Sequence, residues 1–534
     1  MRFQTGMVCF GCAIGLSQVI MFVILIHAKA SPRYNTRNTV KKEPLMNTQN
    51  RDLTRIRHNT KIVATLGPGS NHVELLEDMI RIGGVNVVRF NFSHGTPEFH
   101  RENTKIVREA AKRAGHEVAI MADLQGPKIR IGKLAGGAID LEAGEKLLLD
   151  AALEGEGSRE RVGLDYRNLP KDVQPGDILL LDDGLLTLIV DSVNGSEILT
   201  TVQNSHTLKS NKGINKQGGG LSAGALTEKD FRDLKTAVAI GCDYIAVSFV
   251  KSGQDMHTAR ALVEQEMSGS DAVRPGLVAK IERVEAIKYL DEIIEASDGI
   301  MVARGDLAVE VGNAAVPALQ KRMIKRAREM RRFSITATQM MESMITNPVP
   351  TRAEVSDVAN AVLDGTDAVM CSAETAIGAY PFETVRQMAI ICAAAEREQD
   401  SLIGIDEKAV ERANRVDEAI ASGAVHVARQ VDAKAIVALT ESGHTAFQVS
   451  RHGIQLPIYA LTPSIHAQRR MAMYRGVRPL KVNTSVDHGI AVSEVEHALL
   501  KRGVLCSGDQ YILTSGSSMH QSGSTNMLEV ITVR

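Results

Sequence analysis

Residues 276–312 read GLVAKIERVEAIKYLDEIIEASDGIMVARGDLAVEVG and contain two short apolar runs, each of which ends at charged residues. The first run precedes Lys280 and Glu282, and the second precedes Asp306. Helix-like periodicity follows the first run, so the segment predicts strands that alternate with helices. In a parallel α/β barrel the carboxyl ends of the strands form one face, and these three side chains are therefore expected to share a pocket.

Two carboxylates and a lysine at one strand edge suit a divalent metal that holds an anionic substrate. Mg²⁺ takes one or two carboxylates and fills its other octahedral positions with water and substrate oxygens. A lysine beside it supplies positive charge to a phosphoryl group during transfer. The alternative is a solvated ion-pair cluster on the surface, because the Lys-x-Glu spacing is common.

Outward from this segment, apolar β-branched runs alternate with helix-length segments from residue 60 to about residue 400. Eight such runs match the strand count of a TIM (β/α)8 barrel, whose strands are parallel and joined by right-handed crossovers. The predicted barrel strands are 61–66, 85–92, 118–124, 244–249, 277–281, 299–303, 334–338 and 368–371.

One region interrupts this rhythm and another follows it. Between 131 and 222 helical periodicity is nearly absent and turns separate β-rich runs, which predicts an inserted β-barrel-like domain. After residue 400 a second set of strands and helices begins, which predicts a C-terminal α/β domain. The predicted parts are an extension at 1–45, a barrel at 46–130 and 223–400, an insertion at 131–222 and an α/β domain at 401–534.

The overall composition favours a small-molecule partner. The chain has 534 residues, a net charge of −1 and 23% charged residues, which gives no electrostatic reason to expect nucleic acid or an anionic membrane. Four of the 6 cysteines stand singly in the sequence. That distribution is typical of reduced thiols in a cytoplasmic protein and not of a disulfide framework.

The extension at 1–45 differs from the rest of the chain. Residues 7–28 contain no Asp, Glu, Lys or Arg and are long enough to span a bilayer, and a small-x-small pattern follows at 28–30. A signal peptide, a membrane anchor and an upstream stretch that is not translated are the three interpretations. The basic, irregular tail before Met46 favours a start at Met46, and no membrane association is expected.

Six runs carry a resemblance to a known family, and they occur in that family's order. They are NFSHG at 91–95, DLQGPKIR at 123–130, ARGDL at 303–307, ATQMMESM at 337–344, PTRAEVSDVANAV at 350–362 and SAET at 372–375. From about residue 60 to the C-terminus, the chain resembles pyruvate kinase. The resemblance implies a barrel catalytic domain, a β-rich lid domain, a regulatory C-terminal domain and a homotetramer.

The resemblance also implies the reaction, which is transfer of the phosphoryl group of phosphoenolpyruvate to ADP to give pyruvate and ATP. It implies that Glu282 and Asp306 bind Mg²⁺, with Mn²⁺ as a substitute, and that Lys280 stabilises the phosphoryl group in flight. Arg89 is expected to bind the phosphate. Gly305 is expected to allow the backbone to approach the substrate closely.

Further roles follow from the same resemblance. Once the phosphoryl group leaves, an enolate of pyruvate must take a proton at carbon, and Thr338 matches a substrate-contacting threonine near that carbon. A lone threonine in an apolar strand is, however, usually structural. Closure of the lid over the nucleotide would exclude water from the transfer. The implied nucleotide contacts are Asn91, His94, Arg130 and Lys212.

Two positions bear on the requirement for a monovalent cation. Many members of the family have a glutamate where this chain has Lys128 and a threonine where it has Leu124, and they hold K⁺ nearby. The ammonium of Lys128 is expected to supply the charge that K⁺ would give. The chain is therefore predicted to need Mg²⁺ but not K⁺.

The loop at 440–445 of the C-terminal domain is rich in hydroxyl groups and precedes a predicted helix. It suits the capture of a phosphorylated small-molecule effector at a helix N-terminus, and an ordinary N-cap is the alternative. Glu441 would repel a phosphate, so a sugar monophosphate or AMP is expected in preference to fructose 1,6-bisphosphate. The predicted effector contacts are Thr440, Ser442, Gly443 and Thr445.

Two other functions compete with this interpretation. A metal-dependent lyase or aldolase would use a similar barrel, but it would not need the inserted domain or the nucleotide contacts. A non-catalytic metabolite sensor would not need every charged position of the site. Formation of pyruvate that depends on ADP, assayed with and without Mg²⁺, separates the three.

Overall fold

The computed structural model describes residues 55–269, 273–402, 415–482, 488–516 and 525–534. The predicted extension at 1–45 lies outside the described residues. The structure therefore does not test the three interpretations of it. Within the described part of the chain, no helix is long and apolar enough to cross a membrane.

The strands fall into four groups along the chain. The first group is β1 (Lys61–Thr65), β2 (Val87–Asn91) and β3 (Ala119–Asp123). The second group is β4 (Ala138–Leu141), β5 (Lys146–Asp150), β6 (Arg161–Gly163), β7 (Ile178–Leu181), β8 (Leu186–Asn194), β9 (Glu197–Val202), β10 (His206–Lys209) and β11 (Ile214–Lys216). The third is β12 (Tyr244–Val247), β13 (Gly276–Ile281), β14 (Gly299–Ala303), β15 (Phe333–Ala337) and β16 (Ala368–Cys371). The fourth is β17 (Ala435–Leu439), β18 (Ile458–Thr462), β19 (Val477–Lys481), β20 (Gln510–Gly516) and β21 (Thr525–Thr532).

Helices lie between the strands of the first and third groups and between the first four strands of the fourth, and the second group contains a single short helix. Up to the end of that group they are α1 (Val73–Arg81), α2 (Pro97–Ala114) and α3 (Leu169–Asp172). In the third group they are α4 (Glu228–Ala239), α5 (Gly253–Glu266), α6 (Val284–Lys288), α7 (Leu290–Ala296), α8 (Arg304–Val311), α9 (Val316–Glu329), α10 (Arg352–Leu363), α11 (Ala373–Ala376) and α12 (Pro381–Leu402). The last four are α13 (Val416–Gln430), α14 (His444–Ser450), α15 (Ile465–Met471) and α16 (His488–Lys501).

The first and third groups form one closed barrel of parallel strands, in the order β1-β16-β15-β14-β13-β12-β3-β2. The barrel closes where Lys61 of β1 pairs with Ala368 of β16. Although the second group separates β3 from β12 in sequence, Met121 pairs with Tyr244 and the two strands are neighbours. The predicted TIM barrel is therefore confirmed, and each predicted strand overlaps an observed one.

Strand alternation divides the barrel core into two layers. Every second residue of a strand packs outward against the helices, as Ile62 and Ile300 do, and the residues between them fill the interior. The interior is continuous with the core of the C-terminal domain. Gly299 is required there because an added Cβ would lie 2.3 Å from the ring of Phe333. The ring of Phe333 in turn meets that of Tyr244 edge-on at 5.4 Å between centroids.

The second group confirms a β-rich insertion and gives it the form of a half-barrel. Six strands form a sheet in the order β11-β7-β8-β9-β5-β6, and β10 pairs with β4 in a separate ribbon. The chain enters and leaves this insertion side by side, because Arg130 and Gly213 form an isolated bridge. The insertion therefore joins the barrel through two adjacent strand-like segments at the carboxyl end of β3.

The C-terminal strands form a sheet in the order β19-β18-β17-β20-β21, with β21 antiparallel to the other four. The predicted C-terminal α/β domain is thus confirmed. Strand β19 begins at Val477, which pairs with Ile458 of β18. Three cysteines, Cys242, Cys371 and Cys392, are buried as free thiols.

Candidate active site

Five charged side chains lie at or near the carboxyl ends of four barrel strands. Arg89 is on β2, Asp123 ends β3, and Lys280 is the next-to-last residue of β13. Glu282 follows β13 directly, and Asp306 lies in the first turn of α8, which follows β14. Because the strands are parallel, their carboxyl ends meet at one face of the barrel. The structure therefore places the three side chains of the 276–312 segment at the same end of the barrel.

Lys280 lies at the centre of this cluster. Its Nζ is 2.9 Å from Oε1 of Glu282 and 3.1 Å from Oδ1 of Asp123, and it donates a 2.7 Å hydrogen bond to Oγ of Ser248. Only 12% of the side chain is exposed. Burial by itself would lower the pKa of Lys280, but the two carboxylates raise it above its usual value. The side chain therefore carries a positive charge at neutral pH.

Asp123 was not among the predicted site residues, although it stands in one of the runs that carry the family resemblance. Its side chain is 1% exposed and lies between two cations, with Nε of Arg89 donating to Oδ2 at 2.6 Å. Burial favours the neutral acid, but Lys280 and Arg89 hold the pKa of Asp123 below its usual value. The rule that found Lys280, a charged residue at a strand end, would also have found Asp123.

Glu282 and Asp306 differ in their surroundings. Glu282 is 2% exposed, and its Oε2 accepts a 2.8 Å hydrogen bond from the backbone N–H of Phe249. Burial raises the pKa of Glu282, Lys280 lowers it, and the negative charge of Asp306 raises it again, with a net upward shift. The negative charges of the two carboxylates thus repel each other. Two hard oxygen donors whose charges repel fit a divalent cation of the Mg²⁺ kind.

Lys128 lies beside Asp306, a contact that the sequence does not reveal. Its Nζ is 3.0 Å from Oδ1 of Asp306 and 3.6 Å from Oδ1 of Asp183, which belongs to the insertion. Burial alone would lower the pKa of Lys128, and the two aspartates together raise it above its usual value. The ammonium therefore bridges the barrel and the insertion beside Asp306.

Thr338 follows β15 in a left-handed backbone conformation, with φ = 67°. This conformation is strained for a β-branched residue, and such strain often marks functional sites. The hydroxyl accepts a 2.9 Å hydrogen bond from the N–H of Gly305 and donates one to the carbonyl of Ala337. Arg304 donates a 2.6 Å hydrogen bond to the carbonyl of Thr338. The turn that presents Thr338 is therefore held by the helix that carries Asp306.

Gly305 has room for a Cβ atom on the side that faces this turn. A Cβ added there would meet Oγ1 of Thr338 at 3.6 Å, which is an ordinary contact. The chain itself therefore does not require a glycine at this position, so any requirement would have to come from a ligand.

The predicted nucleotide contacts divide between the barrel and the insertion. Asn91 ends β2, where its Oδ1 accepts a 3.1 Å hydrogen bond from the N–H of Ser93, and the exposed His94 follows. Arg130 donates to the carbonyl of Asn211 at 3.0 Å, at the base of the insertion. Lys212 is paired with Asp182 at 2.7 Å within the insertion.

The predicted effector loop precedes α14. Gly443 is its N-cap residue, with φ = 86°, and a Cβ added there would lie 2.6 Å from the side chain of Met471. The N–H of Gly443 donates a 3.0 Å hydrogen bond to Oγ1 of Thr440. Thr445 is buried, and its hydroxyl is already bonded to that of Thr525. The hydroxyl groups of Thr440 and Thr445 are therefore both hydrogen-bonded within the domain.

The fold and the charged cluster define a class of protein. A closed parallel barrel with cations and carboxylates interleaved at the carboxyl ends of its strands is an α/β-barrel enzyme that acts on an anionic substrate. Comparisons with known proteins give the particular family. Residues 57–385 match the family model "Pyruvate kinase, barrel domain", and residues 418–531 match "Pyruvate kinase, alpha/beta domain".

Individual relatives agree with the family models. Pyruvate kinase II of Salmonella typhimurium is 51% identical over 479 residues, which cover 89% of this chain and 98% of that protein. A pyruvate kinase of Haemophilus influenzae is 48% identical over 463 residues, which cover 86% and 95%. The crystal structure of a pyruvate kinase from Cryptosporidium parvum is similar, with a TM-score of 0.83, 36% identity, and coverage of 89% of this chain and 96% of that one.

The chain belongs to the pyruvate kinase family. It is a pyruvate kinase that converts phosphoenolpyruvate and ADP into pyruvate and ATP, the last step of glycolysis, with a divalent metal. The competing interpretations as a lyase or as a metabolite sensor are thereby set aside.

Proposed function

We propose that Lys280 is the residue that stabilises the phosphoryl group as it passes from phosphoenolpyruvate to ADP. The observation that carries this proposal is the position of its Nζ, within 3.1 Å of both Asp123 and Glu282 at the strand ends. The two buried carboxylates keep the ammonium charged and hold it in one position. A fixed cation of this kind loses little by reorganisation when negative charge develops on the transferred oxygens.

We propose that Arg89 binds the phosphate of phosphoenolpyruvate beside Lys280. Its guanidinium is held by Oδ2 of Asp123 and by a 3.0 Å hydrogen bond to Oγ1 of Thr65. Asp123 therefore serves as a positioning residue for both cations, and its own low pKa keeps it an acceptor. Gly305 and Thr338 complete the substrate side of the site, with Thr338 near the carbon that takes the proton.

Glu282 and Asp306 are the proposed ligands of Mg²⁺, or of Mn²⁺ in its place. When bound, the metal would neutralise oxygens of the anionic substrates and help to orient them. The support is the mutual repulsion of two carboxylates, one of them fully buried. The chain's own contribution is to hold these oxygens in place, Glu282 through the N–H of Phe249 and Asp306 through Lys128.

Substitution of either ligand tests this assignment. We expect Glu282→Gln and Asp306→Asn each to weaken binding of Mn²⁺ by about tenfold or more, because each variant removes one unit of charge from a two-carboxylate site. Binding is measured by electron paramagnetic resonance of free Mn²⁺, alongside ADP-dependent formation of pyruvate with and without Mg²⁺. Asp183→Asn is the matched control, since that aspartate is 71% exposed. Unchanged Mn²⁺ affinity in both variants would refute the assignment.

The nucleotide contacts remain a proposal at Asn91, His94, Arg130 and Lys212. The first two lie at and just after the end of β2, Arg130 lies at the base of the insertion, and Lys212 lies within the insertion. An ADP that touched all four would bridge the barrel and the insertion, which is the arrangement that a lid requires. The insertion is therefore proposed to close over the nucleotide.

We propose that K⁺ is not required, because Lys128 already places a positive charge beside Asp306. The support is the 3.0 Å distance between Nζ of Lys128 and Oδ1 of Asp306. The ammonium of Lys128 would repel a second cation brought to this point.

We further propose that the loop at 440–445 binds a phosphorylated effector, with Thr440, Ser442, Gly443 and Thr445 as contacts. Glu441 is exposed within the loop and disfavours an effector with several phosphates there. In an activation screen we expect AMP or a sugar monophosphate to lower the KM for phosphoenolpyruvate more than fructose 1,6-bisphosphate does. Glu441→Lys is expected to reverse this preference. A wild-type enzyme activated most strongly by fructose 1,6-bisphosphate would contradict the proposal.

The domain bounds 46–130 with 223–400, 131–222 and 401–534 are proposed as well, and limited proteolysis that cuts inside them would contradict them. The described strands of the insertion run from Ala138 to Lys216, inside its proposed bounds.

A homotetramer in the cytoplasm is the proposed form of the enzyme. Free buried thiols are consistent with that compartment, and analytical ultracentrifugation that shows a single chain would contradict the tetramer.

A further inference from the structure

The segment by which the chain returns from the insertion to the barrel contains three consecutive glycines. Gly218, Gly219 and Gly220 follow β11 and have φ values of 79°, 78° and 89°. All three are in the left-handed region that favours glycine. This segment, 217–220, is called here the return segment.

The return segment is hydrogen-bonded to α6, which begins two residues after Glu282, and to α8, which carries Asp306. The N–H of Gly220 donates a 2.6 Å hydrogen bond to Oε1 of Glu285, on α6, three residues after Glu282. The N–H of Gly218 donates a 3.3 Å hydrogen bond to the carbonyl of Glu310, on α8, the helix of Asp306. Both contacts join the insertion to the edge of the active site.

The two barrel elements are also joined to each other at this point. Oε2 of Glu310 accepts a 2.9 Å hydrogen bond from the N–H of Val284, the first residue of α6. Glu310 is 3% exposed, so this contact is shielded from water. The position of the return segment is therefore tied to the relative position of α6 and α8.

Of the three glycines, Gly219 is the one at which an added side chain would clash with α6. A Cβ added at Gly219 would lie 2.5 Å from Cγ1 of Val284 and 2.7 Å from Oε1 of Glu285, too close for either atom to stay in place. A Cβ added at Gly218 would have no heavy atom within 4 Å. The same backbone strain thus occurs at both positions, but only Gly219 is pressed against α6.

We propose that Glu285 is a positioning residue that anchors the return segment and thereby sets the position of the insertion for ADP. The hydrogen bond from Gly220 is to a charged acceptor and is among the stronger kinds in a protein. The inference rests on the proposed function in one respect, the contribution of the insertion to nucleotide binding through Lys212. Glu285 itself need not touch either substrate.

The test is the KM for ADP measured separately from the KM for phosphoenolpyruvate and from kcat. We expect Glu285→Ala to raise the KM for ADP by about tenfold, which is the loss expected for one charge-assisted hydrogen bond. The KM for phosphoenolpyruvate should change by less than about twofold. Glu285→Gln keeps an acceptor oxygen for Gly220 and should restore most of the affinity. A residue with a merely structural role would change stability and all three parameters together.

A pair of glycine variants supplies the matched control. Gly219→Ala should raise the KM for ADP as Glu285→Ala does, because its methyl group would displace the return segment from α6. Gly218→Ala carries equal backbone strain and should leave that KM near the wild-type value. Equal effects of the two glycine variants, or an unchanged KM for ADP in Glu285→Ala, would overturn the inference.

One further variant separates this inference from the proposed function. If Lys212→Met leaves the KM for ADP unchanged, the nucleotide role of that lysine fails, whereas a raised KM in Glu285→Ala still supports the anchor. If Lys212→Met raises the KM and Glu285→Ala does not, the nucleotide role stands and the anchor is wrong.

Discussion

Replacing Lys280 with methionine is expected to lower kcat for pyruvate formation by a factor of about 10² to 10³ or more. The ammonium is needed chiefly in the transition state, when negative charge spreads over the oxygens of the transferred phosphoryl group. Methionine has a similar length and no charge. The variant should therefore keep the shape of the pocket and lose the charge that the reaction needs.

The structure also predicts the effect of this variant on the stability of the fold. Lys280 neutralises Asp123 and Glu282, which are 1% and 2% exposed, and removing one partner of a buried ion pair costs roughly 3–5 kcal/mol. Arg89 still pairs with Asp123, so we expect the chain to fold with a lowered Tm. Mn²⁺ binding should persist, because the two proposed ligands, Glu282 and Asp306, are unchanged in this variant.

A second variant separates the catalytic loss from the loss of stability. Lys280→Met combined with Asp123→Asn removes one charge of each sign, so the Tm should recover while kcat stays low. Lys288→Met, an exposed lysine on α6, is the control for the substitution itself. Turnover near that of the wild type in Lys280→Met would exclude the proposed role of the lysine.

Replacing Lys128 with glutamate is expected to create a requirement for K⁺ that the wild-type enzyme lacks. Two unit charges about 4 Å apart, at an effective dielectric constant near 20, interact by about 4 kcal/mol, which corresponds to about three powers of ten in affinity. The ammonium of Lys128 would oppose a K⁺ ion beside it to that extent. In Lys128→Glu the new carboxylate would instead lie close to Asp306 and Asp183, and three acidic groups would attract a cation.

The measurement is turnover in potassium buffer against sodium or tetramethylammonium buffer at equal ionic strength. The wild type should turn over equally in all three, and Lys128→Glu should be slow without K⁺ and show saturable activation by it. Lys133→Glu makes the same change of charge at an exposed position and serves as the control. A large, saturable activation of the wild type by K⁺ would disprove the proposal.

The architecture and the centre of the site can be predicted from the residues alone. Apolar runs of strand length, separated by helical periodicity, depend on neighbouring residues only, and they predicted all eight barrel strands. Lys280, Glu282 and Asp306 were found because a charged residue at the end of a parallel strand must face the same edge as its neighbours. The inserted and C-terminal domains were evident from changes in the same local periodicity.

Which side chains touch each other depends on the folded chain as a whole. Nζ of Lys128 meets Oδ1 of Asp306 across 178 positions of sequence, and Glu285 meets Gly220 across 65. Neither contact has a local signal, because side-chain direction and the path of the inserted domain are set by packing of the whole chain. Asp123 lies between these cases, since its strand-end position could be predicted from the sequence. Its place between Arg89 and Lys280 required the closed barrel, which brings β2 and β13 to either side of β3 and β12.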